Sequence, residues 1–207
     1  MKSRLILITI ILGLGFNLKA KEPKLIEVLL IKNNNDTVFV KSKAKYQEEY
    51  SFNSFGYYNE DGSRGRADAS EYKLIIIGDK RLESVKLKST VKKDCDKQVF
   101  LERIIDGPMI MYIFHYVKEM VYTSKCIDEV YIRKSDEECA YPIYKELCEH
   151  ERANLTMIKQ PGNSEDMLRL FSDVPEIIEG IKSGYYIRSD FEEMILKYNE
   201  CMKGKEI

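Results

Sequence analysis

The stretch QVFLERIIDGPMIMYIFHYV, Gln98 to Val117, decides the fold. Gln98–Ile105 and Met109–Val117 read as two strands, and Asp106-Gly107-Pro108 between them is turn chemistry that favours a hairpin. The second run carries Met109, Ile110, Met111, Ile113 and Phe114 almost without polar interruption. That is the pattern of a central strand buried on both faces.

Toward the N-terminus the strand signal continues. Glu83–Lys88 alternates, with Val85 and Leu87 opposed to Lys86 and Lys88, and Tyr72–Ile77 is a β-branched run closed by Gly78-Asp79. Leu25–Lys32 and Thr37–Lys43 flank the polar cluster Asn33-Asn34-Asn35-Asp36, which predicts a hairpin turn. In the second of these strands Val38 and Val40 alternate with Phe39 and Lys41. Tyr46–Tyr58 is rich in Tyr, Phe and Ser, and breaks at the polar, glycine-containing segment from Asn59 to Gly65. Toward the C-terminus, Lys118-Glu119 is read as a turn, with Val121–Ser124 and Val130–Arg133 completing a meander.

From Tyr141 the period changes to that of helices. Pro142 suits a first helical turn, and Ile143, Tyr144, Leu147 and Cys148 form one stripe. Ser164 with Glu165-Asp166 makes a cap with acids in the first turn, and Met167, Leu168 and Phe171 follow as an apolar face. Pro175 opens a helix through Ile177, Ile178 and Ile181. Ser189 and Glu192 make a capping box for a last helix with Phe191, Met194, Ile195, Tyr198 and Met202 on one face. The expected fold is α+β: an antiparallel β-meander or partly closed β-roll from about residue 24 to 134, followed by three or four α-helices. The expected organisation is a signal peptide at 1–20, a β-rich part at 21–140, and a helical part at 141–207 packed on it as one globular unit.

The N-terminal segment has the order of an export signal: Lys2 and Arg4, the uncharged run Leu5–Phe16, then Asn17-Leu18-Lys19-Ala20. The apolar run is well short of the roughly 20 residues that span a bilayer as a helix. A retained anchor is the alternative reading, and no Cys follows the run to suggest a lipoprotein. Beyond the signal, no apolar run approaches membrane-spanning length. Loss of Lys2, Arg4 and Lys19 takes the formal charge from −1 further negative, which excludes no single ligand but argues against a nucleic-acid backbone.

All five cysteines lie after the signal: Cys95, Cys126, Cys139, Cys148 and Cys201. In an oxidising compartment pairing is expected, and Cys148 with Cys201 is the favoured disulfide because both fall on predicted helices that could pack together. No Cys-x-x-Cys exists to build a zinc site, and no cofactor motif is present. His115 and His150 are the only histidines; His115 within its strand reads as a satisfied sheet-face histidine. A Cys–His pair of His115 with Cys126 or Cys139 has no local support, so no residue is assigned a catalytic role. Asp61-Gly62 and Asp106-Gly107 read as hairpin turns, not calcium loops. Lys86, Lys88, Lys92, Lys93 and Lys97 form a basic stretch, either a solvated edge or a contact for an anionic envelope surface. Tyr46, Tyr50, Tyr57 and Tyr58 are candidates to line a ligand groove.

Three features resemble small exported proteins of the Bacteroidota, of the flavobacterial type. They are Asn34-Asn35-Asp36-Thr37 followed by Val38-Phe39-Val40, the Glu102–Gly107 segment before an apolar strand, and Tyr198-Asn199-Glu200-Cys201 after an amphipathic helix. The resemblance covers most of the chain after the signal. It implies a β-rich envelope protein and carries over no catalytic residues. The expected function is therefore a non-enzymatic binding or structural module in the periplasm, at the outer membrane or secreted, with an envelope protein, glycan or lipid surface as partner. A periplasmic hydrolase with an unrecognised active site is the alternative.

Overall fold

A computed structural model describes residues 24–43, 50–51, 53–88, 95–119, 124–147, 164–183 and 191–204. It places the Asp106-Gly107-Pro108 turn between two long strands. The strands are β1 Leu25–Lys32, β2 Thr37–Lys43, β3 Tyr50–Ser51, β4 Ser54–Tyr58, β5 Arg64–Asp68, β6 Tyr72–Ile77, β7 Lys80–Lys88, β8 Cys95–Ile105, β9 Met109–Glu119, β10 Ser124–Lys134 and β11 Cys139–Leu147. The helices are α1 Ser164–Leu170, α2 Pro175–Ser183 and α3 Phe191–Lys203. The fold is α+β. The Met1–Ala20 signal lies outside the described residues, and among those described no helix is long and apolar enough to cross a membrane.

The sheet is not a simple meander. Its strand order is β11-β10-β9-β8-β7-β6-β1-β2-β4-β3, with β5 on β4, and β11 also pairs with β7 in parallel. That last pairing, Cys139 with Lys86 and Ala140 with Leu87, closes β7 through β11 into a ring. β7 can serve both units because its first residues, Lys80–Glu83, pair with β6 while Lys86 and Leu87 pair with β11. Period-2 alternation then sends every second side chain inside. Val85, Leu87, Val99, Leu101, Ile110, Tyr112, Phe114, Tyr131 and Ala140 fill the ring.

The intervening residues face outward and are covered twice. Met109, Met111, Val130, Ile132 and Ile143 pack under Leu170, Phe171, Ile177, Met194, Ile195 and Tyr198 of the helical part. On another part of the outer surface, Leu82 and Phe100 join Val28, Leu30, Val40, Phe55, Ala67, Tyr72 and Ile75 in a second core under the N-terminal strands. β9 thus has one face in the ring and the other under the helices, which is why its sequence is apolar without alternation.

Two expectations are corrected. The segment from Tyr141 is not helical: Cys139–Leu147 is a strand paired with β10, and Pro142 sits where that register shifts. Edge strands and bulges are where a sheet tolerates the missing proline N–H, and the stripe Ile143-Tyr144-Leu147 fits a short strand as well as a helix turn. Lys118-Glu119 is not a turn either, because β9 continues through Glu119 in register with Ser124. The helices at Ser164, Pro175 and Phe191 are present as expected; Ser189 lies outside the described residues. Asn35 takes a left-handed φ of 72° in the β1–β2 turn, a conformation Asn tolerates better than most residues.

Candidate functional site

Two groups of polar and aromatic residues stand out on the strands. The first lies on the outer surface of the ring. His115 on β9 pairs in register with Asp128 on β10, and Glu102 on β8 stands opposite Ile113, one diagonal step from His115. Glu102 and Asp128 are buried, so each carboxylate requires a partner. Lys80 Nζ lies 2.5 Å from Glu102 Oε1, and His115 Nδ1 lies 2.5 Å from Asp128 Oδ1. His115 Nε2 lies 3.6 Å from Glu102 Oε2. Both ring nitrogens therefore face protein carboxylates, Asp128 at hydrogen-bond distance and Glu102 farther off. The arrangement sets a histidine between two acids across three strands.

The cysteines do not complete a catalytic group there. Cys139 is bonded to Cys95, with Cα atoms 5.9 Å apart. Cys126 pairs through its backbone with Val117, and its side chain is outside the described residues. The Cys148–Cys201 disulfide expected from sequence is not seen: Cys201 is a free, half-buried cysteine on α3, and Cys148 lies outside the described residues. The actual pair joins strands that the ring closure brings together, a proximity no local pattern reveals. Among the described residues no group of three His, Cys, Asp or Glu is placed to hold a metal ion.

The interior of the ring carries its own polar groups at either end. At one end Arg133 Nη2 donates to the Tyr112 hydroxyl at 2.9 Å, Tyr112 donates to Glu83 Oε2 at 3.2 Å, and Arg103 pairs with Glu83 at 3.3 Å. At the other, the Tyr116 hydroxyl donates to Glu129 at 3.0 Å and the Tyr131 hydroxyl donates to the same carboxylate. Burial, then the charge of Glu129, pushes the Tyr116 phenol up to about 12. Burial also raises Tyr131, with its hydrogen bond to Glu129 next, and raises Tyr112, with the charge of Glu83 next. These phenols are held neutral by the fold.

The second group lies where β2 meets the β4–β5 hairpin. β2 and β4 share a single register pair, Lys41 with Tyr58. Between the rest of β2 and the hairpin a cavity of about 190 Å³ opens, lined by Glu27, Phe39, Val40, Lys41, Tyr58 and Glu60. Val40 turns into the core and Phe39 outward, where it is 73% exposed. Tyr58 is held from behind: Arg64 lies over its ring at 5.3 Å and donates from Nη2 to its hydroxyl at 3.0 Å.

On the far side of Tyr58 a second cavity of about 200 Å³ is lined by Ser54, Gly56, Tyr57, Arg64, Gly65 and Arg66. The Tyr57 ring lies directly against Gly65; a Cβ there would stand 2.3 Å from it, so the close approach requires glycine. Burial, then the charge and hydroxyl of Tyr72, raises the Tyr57 phenol above its ordinary 10.0.

The four tyrosines read from sequence as candidates for a ligand groove do not share one cavity among the described residues. Tyr57 and Tyr58 line the two cavities, Tyr50 forms β3 beside Phe55, and Tyr46 lies outside the described residues. Phe39, Glu27 and Glu60 were not anticipated. The signal was available for Phe39, a large aromatic on the polar side of an alternating strand. Of the basic stretch, Lys86 is paired with Glu138, Lys88 and Lys97 have partners of their own, and Lys92 and Lys93 lie outside the described residues. The chain matches no protein-family profile, no curated protein and no solved structure.

Proposed function

We propose that this chain is an exported, non-enzymatic binding module of the cell envelope, and that it binds through the face formed by β2 and the β4–β5 hairpin. The observation that carries the reading is the outward Phe39 beside the braced Tyr58, over a cavity with charged walls. A single exposed aromatic is ordinary on a protein surface; what favours recognition here is its place beside a cavity that also presents polar side chains. The Lys2-to-Ala20 segment supports export, and the Cys95–Cys139 pair suits an oxidising compartment. The hydrolase alternative draws less support, because His115 Nδ1 is engaged with the buried Asp128 and Cys139 is bonded to Cys95.

The test is co-sedimentation of the purified chain, from residue 21 onward, with isolated cell envelopes of the producing organism. Retention of the native chain and its loss in Phe39→Ala/Tyr58→Ala, with an unchanged circular dichroism spectrum, is the expected result. A double variant retained as well as the native chain would remove this face from the binding function. Intact-mass analysis of the exported protein checks cleavage after Ala20.

A further inference from the structure

We infer that the wedge between β2 and the β4–β5 hairpin takes one sugar ring of an uncharged glycan, stacked on Phe39; this rests on the binding face proposed above. Three observations separate a glycan from a protein or a lipid surface. The first is size. At about 190 Å³ the wedge is below the roughly 300 Å³ at which pockets enclose a drug-sized ligand, and suits a single ring whose neighbours run out into solvent.

The second is the distribution of apolar surface. Among the described residues the exposed large hydrophobics are Leu25, Phe39, Ile104 and Leu196, spread over β1, β2, β8 and α3. A stable protein interface buries on the order of 800 Å² per partner around a contiguous apolar centre, and a membrane surface needs several inserted side chains. A lone exposed aromatic ring provides neither, but it matches the apolar C–H face of a pyranose.

The third is charge. The wedge is lined by Glu27, Glu60 and Lys41, and the guanidinium of Arg64 stands behind Tyr58, so its acids and bases balance. A balanced set gives no net attraction for phosphate or anionic lipid headgroups while supplying acceptors and donors for vicinal hydroxyls. Tyr58 adds a directed group: its oxygen accepts from Arg64, which leaves its O–H proton to donate to a ligand oxygen. The ring stacks for affinity and the polar groups select hydroxyl positions, the division of labour general to small-ligand sites.

The experiment treats the isolated envelopes before co-sedimentation. One portion is exposed to periodate, which cleaves vicinal diols. A second is treated with protease, and a third with organic solvent to remove lipid. The expected result is that Phe39-dependent retention disappears with the first treatment and survives the other two. Phe39→Ala should weaken retention by about tenfold, Phe39→Tyr should restore it, and Glu60→Gln should weaken it without altering the fold. Retention abolished by protease or solvent but not by glycan cleavage overturns the inference in favour of a protein or lipid, while leaving the binding face intact. Retention that never depended on Phe39 overturns both.

Discussion

Asn199, near the end of α3, holds Met109, the first residue of β9, by both of its backbone groups. Asn199 Oδ1 accepts from the Met109 N–H at 2.7 Å, and Nδ2 donates to the Met109 carbonyl at 2.9 Å. The amide acts as one rung of a strand ladder supplied by a helix. It also fixes the turn before β9: Gly107 has a φ of +145°, and a Cβ there would meet Asn199 Nδ2 at 2.7 Å.

Asn199→Ala leaves a buried backbone donor and acceptor without that partner, at a cost of about 1–3 kcal/mol for each group left unsatisfied. The expected outcome is a loss of roughly 3 kcal/mol, read as a lower urea midpoint at unchanged slope. A loss near zero would show that the helical part does not depend on this clamp.

The ring is closed by two register pairs between β7 and β11 and by Cys95–Cys139, which cross-links residues 44 apart in sequence. Loop-closure entropy sets the contribution of such a bridge at about 4 kcal/mol. Cys95→Ser/Cys139→Ser should therefore melt at a markedly lower temperature, with amide exchange rising first in β11. Peptide mapping under non-reducing conditions tests the pairing directly, and recovery of Cys95 or Cys139 reduced or joined to another cysteine would contradict it.

Stability should fall above about pH 10, for a reason whose sign is definite. The Tyr116 phenol is raised to about 12 in the folded chain from an ordinary 10.0, so between these values the native state keeps a proton that the unfolded state releases. Its contribution is complete below pH 10 and is lost as pH rises through the folded value. Tyr112, Tyr131 and Tyr198 are shifted in the same direction, each by burial first. Urea unfolding followed from neutral into alkaline pH should show this decline, shallower in Tyr116→Phe. Identical pH slopes for the two proteins would place Tyr116 in water.

Much of the strand content was legible because each turn announces itself chemically. Asn33–Asp36, Gly78-Asp79 and Asp106–Pro108 all lie where chain reversal occurs. β11 was not legible, since Pro142 before Ile143 and Tyr144 carries the same residues whether the segment begins a helix or borders a bulge. Within the candidate site, Tyr58 stands out in sequence as an aromatic strand residue, but its cavity partners come from β1, β2 and the β4–β5 turn, which are separated along the chain.

The sequence by itself determined the class of the protein: an alternating β-rich body, an apolar β9 that must be covered on both sides, and amphipathic helices able to provide one cover. These are local properties, set by side-chain period and turn chemistry. Only the tertiary structure decided which strands close the ring, that Cys139 meets Cys95, and that His115 is held between Glu102 and Asp128. Each of those depends on register between strands distant in sequence, and register is chosen by the packing of the whole sheet, which no single segment encodes.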